Sequence, residues 1–322
     1  MTIIQSGPAR IPGPFGTVPV SVDGRYPNIP GNSRGPAGYY PLFDTKNGPA
    51  GAATATKAAT KAHAFKMPKA LDSANATTKI ARAVDWPLFG KSGPKTTDIA
   101  QGGLANCPLP TILAAMANTT DGRKRILGMV TPHDDPAATD LSDVLDQVSD
   151  QTGSVTSRRY FTVKLAKEIE VSDVLYTDDA DSGWSPLYMH ASDSGSPVLW
   201  ACVIEKAYAV QEGGYDKLNE MVVNKVWKDI LGAKPNGFEI NGKTDLEKIR
   251  ERAVDASKVP TILASKNDKA IEEASKQKVV SDHGYAVLGM TGNTVNLYNP
   301  WGIPVSLPLS DIRKYFQSMF YP

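Results

Sequence analysis

The chain has 322 residues, 41% of them hydrophobic and 21% charged, with a formal net charge of +1. That composition suits an ordinary globular protein of one large domain or two smaller ones, and it sets up no overall field for nucleic acid. Two cysteines are too few for a disulfide framework, no apolar run reaches the length of a membrane span, and Met1 to Pro8 lacks a signal-peptide core. The expectation is a soluble protein, cytoplasmic or exported without a signal peptide, with no nucleic-acid or membrane partner.

Residues 1–70 read differently from the rest. Proline and glycine recur through Pro49, and an Ala/Thr/Lys tract runs from Ala50 to Ala64. Eight basic residues stand against two acidic ones, a net +6, which leaves −5 for the remainder. The segment is too poor in apolar clusters, beyond Ile3-Ile4 and Tyr39 to Phe43, to offset its own ordering cost of about 1–2 kcal/mol per residue. It reads as a flexible N-terminal arm: a propeptide in a cleft, a delivery leader, or a tether to a partner or carrier. Gly90-Lys91-Ser92 is not a phosphate loop, because Asp85 stands where the upstream glycine is required.

The stretch from Gln101 to Met116 carries the most chemistry. Leu109, Ile112, Leu113 and Met116 fall on one face of a helix, and Pro108 and Pro110 are tolerated in its first turn. Cys107 then sits at the helix N-terminus, where the partial positive charge favours the nucleophilic thiolate.

Asp121 to Ser157 is polar, and its acidic clusters, with Asp178, Asp179, Asp181 and Asp193 beyond, read as solvated loops. No Asp-x-Asp-x-Asp-Gly loop is present. Phe161 to Leu165 alternates as a strand. A buried helix is expected over Pro197 to Gln211, with Ser196 as N-cap and Cys202 as an inert core thiol. A second helix is expected from Tyr215 to Leu231, closed by Gly232. Pro235 and Gly237 mark a boundary, beyond which Val305, Leu307 and Leu309 read as strand and Asp311 to Phe320 as a closing amphipathic helix.

Between these lies a hairpin, Asp282 to Met290 and Thr294 to Gly302 around a Gly-Asn turn. His283 enters its first strand and Asn299 leaves its second, so both reach the open end. A two-residue loop alone would pair Asn299 with Ala286 and turn it away from His283. A three-residue loop, or a bulge, puts both on one face. The other histidines are weak candidates: His63 lies in the arm, His133 in an acidic loop and His190 in a predicted loop. No His/Cys cluster has the spacing of a zinc site.

Three segments together resemble the calpain-type cysteine peptidases. They are Asp98 to Cys107; Leu199 to Ala209 followed by Gly213-Gly214-Tyr215-Asp216-Lys217-Leu218; and His283 to Val287 with Asn299-Pro300-Trp301-Gly302. The resemblance implies an α+β, two-lobed papain-like fold. The arm (1–70) would precede a helical lobe (71–234) carrying Cys107 and a β-rich lobe (235–322) carrying His283 and Asn299. It implies an endopeptidase acting on protein or peptide substrates, with Cys107 as nucleophile, His283 as acid and base, Asn299 orienting the histidine, Gln101 in the oxyanion hole and Trp301 shielding the His–Asn bond. Trp86-Pro87-Leu88-Phe89 resembles the segment that precedes the family's nucleophile. Animal calpains bind calcium in both lobes, but no ligand set matches here, so no cofactor is expected to be required. Ala105-Asn106 and Pro108 replace the usual Gly-Asp and Trp around the cysteine, and Asp282 is expected to favour imidazolium. The alternative function is a catalytically weak or inactive protease-fold component of a larger assembly.

Overall fold

A computed structural model describes residues 10–13, 16–19, 62–70, 80–135, 154–157, 159–177, 186–219, 221–242 and 244–322. Seven helices are present among them: α1 (Pro108–Ala117), α2 (Thr120–Met129), α3 (Trp200–Glu212), α4 (Val223–Leu231), α5 (Thr244–Val254), α6 (Ala270–Ala274) and α7 (Leu309–Tyr315). The largest sheet has six antiparallel strands in the order Asn236–Glu239, Phe316–Tyr321, Ile262–Ser265, Gly284–Thr291, Thr294–Asn299 and Ile303–Pro308. A three-stranded sheet places Arg159–Lys164 between Val130–Asp134 and Glu168–Ser172. The fold is mixed helix and sheet.

Apolar side chains gather in two clusters. One is built on α1, α2, α3 and α4 with the smaller sheets, and includes Leu113, Trp200 and Trp227. The other fills one face of the six-stranded sheet under α5 and α7, and includes Val287, Ile249 and Ile312. Helix α1 is buried along all ten of its residues, not on the single face that its spacing predicts. Its small side chains, Ala114, Ala115 and Ala117, lie where a polar face would otherwise meet water. The helix packs against α2, α3 and α4 and also against the strand Gly284–Thr291, so it has no solvent side.

Several predicted boundaries move. Ser196–Pro197 is a short strand, not the start of α3. The reason lies upstream: Val198 donates its N–H to Ala191 O, and Leu199 and Trp200 donate theirs to the carbonyls of Pro87 and Leu88, which ties this stretch to its neighbours until the helix starts at Trp200. Tyr215 to Leu231 is two elements, a 3-10 turn at Tyr215–Leu218 and then α4, with the break at Asn219, whose backbone is extended and whose side-chain Oδ1 accepts from Ala105 N–H. His190 lies in a strand, His190–Asp193, that pairs with Ile99–Ala100. Leu309 opens α7 instead of extending the strand before it. Phe316–Tyr321 is a strand paired on both sides, with Phe316 and Met319 inside the second cluster.

Two short strands within the first 70 residues, Arg10–Gly13 and Gly16–Pro19, pair with each other. The Tyr39 to Phe43 cluster lies outside the described residues, as do residues 136–153 of the acidic stretch and Asp178, Asp179 and Asp181. Residues 62–70, which composition groups with the arm, run along the body: Ala64–Lys66 pairs with Ser154–Thr156, and Phe65 and Met67 join the first cluster. His63 stacks on Phe65 and His133 on Tyr160, both away from Cys107's helix. Burying a Phe or a Met contributes about 1.5–3 kcal/mol each. A protein lacking residues 1–61 is therefore expected to keep a cooperative thermal melt, whereas one lacking 1–70 should melt several degrees lower. Equal melting temperatures in scanning calorimetry would show that Phe65 and Met67 do not hold the body together.

Candidate active site

The loop before α1 is fixed from both sides. Gln101 donates its backbone N–H to Pro300 O (2.7 Å), and Tyr298 donates its hydroxyl to Ile99 O (2.8 Å). The turn that follows Asn299 therefore holds the start of the Cys107 loop. Gly102 has no room for a side chain, since a Cβ there would run into the Tyr188 carbonyl. The Gln101 side chain donates one N–H to Leu104 O (2.7 Å). A primary amide carries two such donors, so one stays available while the group is held still. Its Oε1 is buried without a protein partner.

Cys107 immediately precedes α1, with Pro108 at its first position, and its carbonyl accepts from Thr111 N–H (3.1 Å). The residue before it, Asn106, is fully buried and donates its side-chain amide to Glu205 Oε1 (2.7 Å); Glu205 Oε2 accepts from Met189 N–H (2.7 Å). Glu205 thus ties the nucleophile loop to α3. Burial pushes its carboxyl up to about 7, against the lowering effect of those two bonds. The neighbouring Lys206 points elsewhere and gives all three ammonium protons to Ser172 O, Ser172 Oγ and Val174 O, while burial lowers it to about 7. Sequence reading left out the Asn106–Glu205 link. The available signal was an acidic residue inside an otherwise apolar helix, which must find partners once buried.

The hairpin is closed by the two-residue loop Gly292-Asn293, with Thr291 opposite Thr294. On its own this loop would set Asn299 opposite Ala286. A bulge at Leu288 shifts the register: Gly289 pairs with Asn296 but Val287 pairs with Leu297, and Ala286 then faces Tyr298. Gly289 takes φ = +144°, a conformation that side chains disfavour, which is why the bulge falls there. The next position puts Asn299 level with Tyr285 and on the His283 face. His283 Nε2 and Asn299 Oδ1 lie 2.9 Å apart, both residues at 7% exposure or less. Asn299 Oδ1 also accepts from Trp301 N–H (3.0 Å), and the Trp301 ring lies 4.9 Å from the imidazole, centroid to centroid.

Cys107 lies near the backbone of Gly284, the residue after His283. The backbone N–H groups of Gly284 and of Cys107 itself favour the thiolate. Burial outweighs them, and the Asp282 carboxylate adds to it, so the thiol is pushed up to about 11. Burial also lowers His283 to about 4, against the raising effect of Asn299. Desolvation thus works against the thiolate that the helix N-terminus favours, and Asp282 raises the thiol as well. Both groups are neutral at pH 7 in this geometry. Cys202, by contrast, is enclosed in the first core with its sulfur 3.1 Å from Met189 O, and burial raises its thiol further still. Among the described residues, no three His, Cys, Asp or Glu side chains are grouped to hold a metal, and no helix is long and apolar enough to cross a membrane. Asp193 is engaged by Lys95 (2.5 Å).

A cysteine at the start of a helix that packs on Gly284, next in sequence to an imidazole held by a carboxamide, is in keeping with the Cys–His–Asn grouping used by cysteine proteases. The family comparison agrees: the calpain family cysteine protease model matches residues 66–306, and the chain belongs to that family. It is similar to the calpain-2 catalytic subunit of Gallus gallus, at 26% identity over 226 residues covering 67% of this chain and 29% of the relative. The calpain-2 catalytic subunit of Mus musculus is 27% identical over 240 residues (69% and 31%), and calpain-9 of Rattus norvegicus 26% over 248 residues (73% and 33%). The chain therefore spans about a third of the length of these relatives.

The neutral pair has a measurable consequence. Only thiolate reacts with iodoacetamide, and a thiol raised to about 11 ionises in the alkaline range. The alkylation rate of Cys107 in the free protein is expected to climb by about tenfold per pH unit from pH 6 to pH 10, without levelling off. A plateau between pH 5 and pH 8 would mean that a thiolate–imidazolium pair already exists at rest.

Proposed function

We propose that the chain is a calpain-like cysteine endopeptidase with a two-lobed papain-like architecture, in which Cys107, His283 and Asn299 act together. The two apolar clusters support the division into lobes, with the nucleophile at the edge of one and the His–Asn pair on the sheet of the other. The observation that carries the reading is the 2.9 Å contact of His283 Nε2 with Asn299 Oδ1, made beside a thiol held on the Gly284 amide. With Nε2 engaged, proton exchange with the nucleophile falls to Nδ1.

The step follows from neutral reactants. Cys107 Sγ bonds to the scissile carbonyl carbon as its proton passes to His283 Nδ1, and the C=O electron pair moves onto oxygen. The free N–H of the Gln101 amide and the Cys107 backbone N–H stabilise that oxyanion. On collapse the C–N bond breaks and the amine leaves with the proton from His283. Water then attacks the thioester, giving a proton to His283, and the acid product leaves as the thiol is restored. Asn299 holds the imidazole in the tautomer that faces the sulfur, and Trp301 covers that bond. Asn106 and Glu205 keep the loop from shifting during the attack.

A rival reading, a protease-fold binding component without turnover, draws on the burial that keeps thiol and imidazole neutral. One assay separates the two. Cys107→Ala is expected to abolish peptide hydrolysis and labelling by an epoxysuccinyl thiol-protease probe with the melt unchanged, while Cys202→Ala keeps both. Labelling that maps to Cys202 and spares Cys107 would overturn the assignment.

Calcium is left out of this mechanism, because the contacts that assemble the site run between protein groups, from Gln101 to Pro300 and from Tyr298 to Ile99. Hydrolysis is expected to persist in excess EGTA. Activity that vanishes in chelator and returns with added calcium would show that a bound ion is needed to bring the two halves together.

A further inference from the structure

The two ends of α1 are attached to one strand. At its start, Thr111 packs so closely on the strand that a Cβ on Gly284 would sit 2.7 Å from Thr111 Oγ1. At its end, the side-chain amide of Asn118 faces three carbonyls across the gap between the two cores: Ala256 O at 2.9 Å, Leu288 O at 3.2 Å and Val287 O at 3.4 Å. Leu288 is the residue that the bulge leaves without a partner in the hairpin register. The eleven steps from Cys107 to Asn118 cover about 16 Å of helix, and the four from Gly284 to Leu288 about 13 Å of strand. Helix and strand thus run side by side in the same direction and are joined at both ends.

We propose that Asn118 is a positioning residue for the reaction, holding α1 in register against the bulged strand so that Cys107 meets His283. The inference rests on the peptidase reading given above. Two properties of the bulge make the joint matter. The bulge sets the parity that brings Asn299 to His283, and it turns a carbonyl out of the ladder that a donor from elsewhere must satisfy. Asn118 supplies that donor from the element that carries the nucleophile. One amide therefore ties the nucleophile's helix to the strand feature on which the His–Asn contact depends. Asn118 is itself placed by the end of α1, where its backbone N–H bonds Ala114 O and Met116 O. Ala256, the third carbonyl, follows α5, so the second core is gripped at two points.

The test compares Asn118→Ala, Asn118→Asp and Asn118→Gln in the full chain, each assayed well below its own melting temperature. Ala removes the donors, Asp keeps the shape but turns carboxylate oxygens toward carbonyls, and Gln keeps the amide on a longer arm. Misplacing a reacting group by a fraction of an ångström to an ångström costs on the order of tenfold to a hundredfold in rate. The expected result is a kcat reduced roughly tenfold or more for Ala and Asp, with KM within about twofold, slower epoxysuccinyl labelling of Cys107, and partial recovery in Gln. A merely structural role would lower the melting temperature and leave the kcat of the folded enzyme unchanged, and that outcome overturns the proposal while the peptidase reading stands. A wild-type protein that neither hydrolyses peptide nor takes the probe at Cys107 overturns both.

Discussion

The rest of the structure depends on the burial of α1. A helix enclosed on every side can present its N-terminus to only one place, and that place is the edge of the six-stranded sheet where His283 and Asn299 emerge. Its proline-bearing first turn, its alanine-rich middle and its asparagine end each answer a neighbour: the Gly284 backbone, the surrounding helices, and the bulge carbonyls. Close packing of this kind transmits a displacement instead of absorbing it. That is why contacts far from the sulfur bear on how it meets the imidazole.

The same burial governs the charges. Desolvation raises the Cys107 thiol, lowers His283, raises Glu205 and lowers Lys206, each toward its neutral form. Where hydrogen bonds are complete, as for Lys206 on three acceptors, the group serves as a strut between α3 and the strands beside it. For Cys107 and His283, suppression of charge at rest means that in the proposed reaction the two become charged only together. For His283 the linkage sign is clear. An imidazole at about 6.5 when unfolded and about 4 when folded costs stability as pH falls through that range, because the unfolded chain takes up the proton first. Glu205, raised to about 7, acts the opposite way over much of the same range. The two buried groups therefore partly offset each other in acid.

Much of the candidate site was legible in the sequence because the relevant signals are local. A cysteine before a proline-started helix, a Gly-Asn turn between two β-prone runs, and a glutamine six residues before the cysteine are each written in a few consecutive residues. The resemblance to calpain-type peptidases rests on those same segments, and the family match covers them. The expectations that missed were the ones that depended on distant partners. Pro197 has every local reason to start a helix, but backbone bonds to Pro87 and Leu88 delay it to Trp200. Asp311 to Phe320 has an amphipathic helical pattern, but half of it becomes a strand that pairs with a neighbour on each side.

The sequence by itself determined the candidate residues, Cys107, His283 and Asn299, and roughly which elements hold them, since residue type, turn chemistry and apolar spacing act over a few positions. Only the tertiary structure decided how those elements meet. The bulge at Leu288, not a longer loop, sets the His283–Asn299 parity. Glu205 is the partner of Asn106 across 99 residues of chain. Burial, a property of the whole packed molecule, raises the Cys107 thiol, because desolvation of a charge outweighs the two backbone N–H groups that favour the thiolate.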